Sequence, residues 1–116
     1  MELSFRTARL RKELSDAKAM DRAYGADRGR ALRMRLSVLR AAACLRDVPH
    51  GPPDRCHQLT ADRAGQVAVV VKDQWRLVFV PDHDPVPRLP DGGLDEAAVT
   101  RIQCIEIVDY HPGRRA

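Results

Sequence analysis

Two periodicities divide the chain. From Thr7 to Leu45 apolar residues recur every three or four positions, whereas beyond Asp54 they come in short β-branched runs or alternate with polar ones. In "TARLRKELSDAKAM" Leu10, Leu14 and Ala17 fall on one face of a helix over 7–20, and Thr7 is placed to accept the free amides of its first turn. Gly25, in "DRAYGADRG", marks a break. "RGRALRMRLSVLRAAACL" then aligns Leu32, Leu36, Leu39 and Ala43 in one stripe and predicts a second helix over 28–45. Arg30, Arg33, Arg35 and Arg40 occupy much of its remaining circumference, as a solvated face does. The two helices read as a hairpin.

"DVPHGPPD" ends the helical half, because proline lacks an amide donor and disfavours helix at the residue before it. "RCHQLT" is a short strand, and "GQVAVVV" and "WRLVFV" flank "KDQ" as a hairpin. "VTRIQCIEIVDY" alternates and predicts the final strand. Val99, Arg101, Gln103 and Ile105 lie on one side of it, with Thr100, Ile102, Cys104, Glu106 and Val108 opposite. "ELSF" at the N-terminus fits a short edge strand. The connection "PDHDPVPRLPDGGLDEAA", residues 81–98, holds four prolines and predicts an irregular loop with one helical turn at "LDEAA". This order predicts an α+β fold, an N-terminal helical hairpin packed on a mainly antiparallel sheet of four to five strands.

A length of 116 residues suits one domain over 1–116. An aromatic content of 4% leaves the core to Leu, Val, Ile and Ala. The net charge of +4 is unevenly spread, with a basic excess through Arg46 and a mild acidic balance from Asp47 onward. That asymmetry is a footprint for a polyanion or an acidic partner, or else an ordinary arginine-rich surface. Three cysteines at irregular spacing give no disulfide framework. A zinc site from Cys44, Cys56, His57 and Cys104 lacks the usual close pairs, so neither metal nor cofactor is expected. Cys44 and Cys104 suit the core. No apolar run resembles a leader or a membrane span, and the cytoplasm is the expected location.

The polar residues on the strands carry the candidate chemistry. Arg55 and His57 in "RCHQL" are two apart and share a face, while Gln58 belongs to the other. "TADRAGQ" is a turn that presents Arg63. In "DQWRLVF" Trp75 and Arg76 must point to opposite sides, Trp75 beneath the helices and Arg76 outward. "IVDYH" delivers Asp109, Tyr110 and His111, of which Tyr110 faces away from the other two and is expected to pack. His50 and His83, in proline-rich loops, read as solvent-exposed. A histidine standing alone is ordinarily structural; beside several guanidinium forks it suits proton transfer at a phosphodiester. A base removes the 2′-hydroxyl proton, arginine stabilises the phosphorane, and an acid protonates the leaving 5′-oxygen.

The succession "LRMRLSVLRAAACLRDV", "RCHQLTADRAGQVAVVVKDQWRLVFV" and "IEIVDYH" resembles the HigB-type toxins of the RelE/ParE superfamily, the plasmid maintenance killer proteins. Its most specific parts are H-x-L-x-x-D-R-x-G-Q, W-R-x-x-F and the terminal V-D-Y-H. The resemblance implies a toxin that enters the ribosomal A site and cuts messenger RNA there, held in check by a helix-turn-helix antitoxin. It also implies catalytic roles for His57, Arg63, Arg76, Asp109 and His111. Arg55 and Tyr110 would contact RNA, with Arg30, Arg33 and Arg40 gripping ribosomal phosphates. Where the family often has a lysine near the H-x-L strand, this chain has Arg55, and Lys72 sits in a turn, so the general base stays open. The 81–98 segment is longer than in compact members. Two other readings stand beside this one: a ParE-like toxin that binds DNA gyrase and cuts nothing, and an inactive relic that only binds its antitoxin.

Overall fold

The helical half divides where short polar side chains offer caps. Thr7 Oγ1 accepts the Leu10 amide at 3.0 Å and opens α1, Ala8–Glu13. Asp16 Oδ1 accepts the Ala19 amide at 2.8 Å and opens α2, Ala17–Tyr24. The single helix expected over 7–20 is therefore two, since a cap inside the periodic stretch starts a new helix in a new direction. Gly25 breaks the chain as expected, at φ 89°, and α3 follows over Ala26–Ala41. A Cβ on Gly29 would lie 2.0 Å from Asp21 Oδ1 and 3.1 Å from its amide, so α2 and α3 approach as closely as glycine allows. Arg33 seals the contact by donating to Asp21 at 2.9 Å. The helix expected to reach Leu45 stops at Ala41. The Met1 amino group donates to the Leu39, Arg40 and Ala42 carbonyls there, a positive charge at the negative end of the helix dipole.

This computed structural model describes residues 1–110, which form three α-helices and one mixed sheet of five strands. The strands are β1 (Glu2–Phe5), β2 (His57–Gln58), β3 (Val67–Lys72), β4 (Trp75–Pro81) and β5 (Arg101–Asp109), ordered β1-β5-β4-β3-β2. β1 runs parallel to β5; every other pairing is antiparallel. Leu10, Leu14, Met20, Leu32, Leu36 and Leu39 of the helical half pack with Val67, Val69, Val71, Leu77, Phe79, Ile102 and Cys104 of the sheet in one core. Trp75 packs against the same cluster, with the Arg28 guanidinium 4.5 Å from its ring centroid. The opposite, helix-free face carries a smaller cluster of Leu59, Ala68 and Val78, with Ile105, Val108 and Tyr110 around it.

Three expectations change. Phe79 pairs with Cys104 but Val78 with Glu106, which leaves Ile105 as an extra residue. This bulge reverses the odd–even facing of β5. Ile102 and Cys104 face the helices, whereas Glu106 and Val108 emerge on the open face and Ile107 turns inward. Arg35 is not on the solvated side of α3. It is 7% exposed, and with Asp54 at 5% it forms the buried charged pair of the described residues. His83 is half-buried, and its Nε2 accepts the Thr100 and Arg101 amides at 3.0 and 3.3 Å, pinning the start of the long connection to β5.

The cysteines also redistribute. Cys56 and Cys104 are in the core, whereas Cys44 is half-buried. Burial pushes both core thiols up from 9.0 to about 12. The folded state holds them neutral while the unfolded chain ionises first. Their contribution to stability is thus complete below about pH 9 and is lost as the pH climbs toward about 12. A thiol reagent at neutral pH is expected to modify Cys44 alone, read by mass spectrometry of the native protein. Equal modification of Cys56 or Cys104 would contradict their burial. No helix of the described residues is long and apolar enough to cross a membrane.

Candidate functional site

Strand register places the candidate side chains. Across the open face, His57, Ala68, Val78 and Glu106 form one row. Val70, Arg76 and Val108 form the next, nearer the β3–β4 turn. Strand spacing and rise put the Cα atoms of His57 and Arg76 about 12 Å apart. Two side chains reaching up from the sheet at that separation can bracket a ribose and its phosphate.

Arg76 is the most constrained cation of this face. Its Nη1 donates to the Asp73 carbonyl at 2.7 Å and the Trp75 carbonyl at 3.2 Å, while its buried Nε has no hydrogen-bond partner. No carboxylate of the described residues forms an ion pair with it. Desolvation pushes its pKa down, Tyr110 opposes that shift, and nearby Arg55 adds to it. A guanidinium partly out of water, beside a like charge, gains most from an incoming anion. Arg63 differs: its Nη1 lies 2.7 Å from Glu106 Oε1 and donates to Gln66 Oε1 at 2.8 Å, so its charge is already balanced.

His57 is exposed and oriented by its own backbone. Its Nδ1 lies 2.9 Å from the Arg55 carbonyl, which can only accept, so in the neutral ring Nδ1 carries the proton and Nε2 presents a lone pair. The geometry depends on Arg55, whose φ of 48° is left-handed for a residue other than glycine. Tyr110 donates its amide to the Gln74 carbonyl at 2.8 Å and packs on the open-face cluster. It packs as expected, but on the Arg76 side.

The structure thus gathers Arg55, His57, Arg63, Arg76 and Tyr110 on one face. Asp109 is in register with Trp75, on the helix-side row, and does not share the Arg76 face. His111 lies outside the described residues. Arg30, Arg33 and Arg40 belong to α3, across the sheet from Arg76; Arg30 and Arg40 are exposed and Arg33 is tied to Asp21. A cleft at the β1 edge, lined by Met1, Leu3, Arg40, Asp82 and Arg101, holds only Arg40 of the candidates. No group of three or more metal-ligating side chains is assembled among the described residues.

Glu106 escaped sequence reasoning, because the bulge at Ile105 decides its facing and a strand's alternation does not announce a bulge. The long connection meets β2 on the side away from Arg76. Glu96 within it accepts from Gln58 Nε2 at 2.7 Å, and Gln58 pairs with Val67 on the helix-side row. The loop therefore braces β2 from behind. No protein-family model matches the chain, and a search of curated proteins finds no match.

Proposed function

We propose that the protein is an endoribonuclease toxin of the HigB kind, with a RelE/ParE-like fold, which cleaves messenger RNA on the ribosome and is neutralised by a helix-turn-helix antitoxin. The motif succession in the sequence suggests the reading. The observation that carries it is Arg76, a partly desolvated guanidinium with an unsatisfied Nε, on the same face as an imidazole whose Nε2 is free to accept a proton. In this reading His57 Nε2 takes the proton of the 2′-hydroxyl and its oxygen attacks the adjacent phosphorus. Arg76 stabilises the charge that accumulates on the phosphorane oxygens. The 5′-oxygen leaves with a proton, for which His111 is the candidate from the resemblance, and a 2′,3′-cyclic phosphate remains. Tyr110 and Arg55 flank the phosphate and offer a base a stacking surface. Arg63 reaches phosphate only by exchanging its Glu106 contact.

Primer extension on messenger RNA after induction tests the reading. Defined internal 5′ ends within coding regions are the expected result. Intact transcripts with double-strand breaks in DNA would instead assign the protein to gyrase poisoning, and growth without arrest would mark a relic.

A further inference from the structure

β2 contributes only two paired residues to the sheet, yet it delivers His57. The segment before it is held from inside the protein. The Val70 amide donates to the Asp54 carbonyl at 2.8 Å. Arg35 reaches from α3 to donate from Nε to the Val70 carbonyl at 2.6 Å, and the same nitrogen lies 3.9 Å from Asp54 Oδ1. One buried guanidinium thus grips both β3 and the chain docked on it. Asp54 Oδ1 is itself buried and accepts no hydrogen bond, so Arg35 is its only charge partner among the described residues. The next residue is Arg55, left-handed, whose carbonyl receives His57 Nδ1.

We propose that Arg35 and Asp54 are positioning residues for His57. Their buried contact fixes the backbone turn at Arg55, and that turn keeps the imidazole proton on Nδ1 and the lone pair on Nε2. An unrestrained imidazole prefers its proton on Nε2, so the arrangement has to be imposed. The catalytic part of this inference rests on the cleavage reading above; the tautomer is a property of the protein and needs no substrate.

Two-bond proton–nitrogen correlation spectra of the nitrogen-15-labelled chain, recorded where the imidazole is neutral, report the tautomer directly. The wild type is expected to show His57 protonated on Nδ1. Removing one charge alone endangers folding, so the informative variant is Arg35→Met/Asp54→Leu, which removes both, with Arg35→Gln/Asp54→Asn as a second. Each is expected to move His57 toward the Nε2-protonated form and to lower kcat for cleavage about tenfold or more with KM nearly unchanged. A wild type protonated on Nε2, or folded variants that keep Nδ1 protonated, would overturn the proposal. A tautomer shift in a protein that cleaves nothing would uphold the positioning and refute the nuclease.

Discussion

Arg76→Ala is expected to abolish growth arrest, lowering cleavage about 10²–10³-fold as loss of a preorganised electrostatic donor does. The protein should remain folded, because the guanidinium stabilises the resting molecule little. Its Nε is buried without a partner and it forms no ion pair among the described residues, so truncation gives up two Nη1 bonds to backbone carbonyls while removing a partly desolvated cation. Arg76→Lys should recover little of the rate. A point charge does not reproduce the planar fork that meets two phosphate oxygens, and an ammonium is more costly to desolvate. Induction in cells measures the arrest, and thermal melting of the purified variant separates lost chemistry from lost fold. Full toxicity from a folded Arg76→Ala chain would remove this residue, and with it the proposed mechanism.

The second large effect concerns stability. Arg35→Met alone is expected to cost about 3–5 kcal/mol, the usual consequence of stranding one member of a buried pair. Asp54, at 5% exposure, would then lose its charge partner, with no hydrogen bond on Oδ1 to offset the loss. Against a total of about 5–15 kcal/mol for a domain, that leaves little folded protein at 37 °C. Removing both charges with Arg35→Met/Asp54→Leu should restore most of the loss, because the site then becomes apolar and continuous with the core. Urea denaturation of the two single variants and the double one gives the coupling energy. A single Arg35→Met variant that loses under about 1 kcal/mol would show that Asp54 does not depend on Arg35 in the fold.

The two effects separate what the sequence discloses from what it hides. Leu32, Leu36 and Leu39 announce the buried face of α3, the apolar runs around "KDQ" announce β3 and β4, and alternation sends Trp75 and Arg76 to opposite sides. Those are local regularities, each set by the geometry of one element. Arg35 looks like its neighbours Arg33 and Arg40 in the sequence, because its burial depends on Asp54 and Val70, which come from other elements. The facing of Glu106, Val108, Asp109 and Tyr110 turns on one extra residue at Ile105. Asp16 is equally silent in the sequence: a side chain that caps a helix in one setting is a tolerated polar position in another. Among the candidate residues, Arg55, His57, Arg63 and Arg76 could be grouped from strand alternation and turn position, whereas the sides taken by Asp109 and Tyr110 could not.

The parallel ladder of β1 with β5 carries a consequence for biosynthesis. Residues 2–5 find their partners only at 101–104, and β5 slides between β1 and β4. While the nascent polypeptide still lacks that strand, the edge of β4 at Val78 and Phe79 is bare and β1 has nothing to pair with. Such a precursor is slow to mature and prone to self-association, which makes it a natural client for ribosome-associated chaperones. Its open face is incomplete as well, since Glu106, Val108 and Tyr110 arrive only with or after the missing strand.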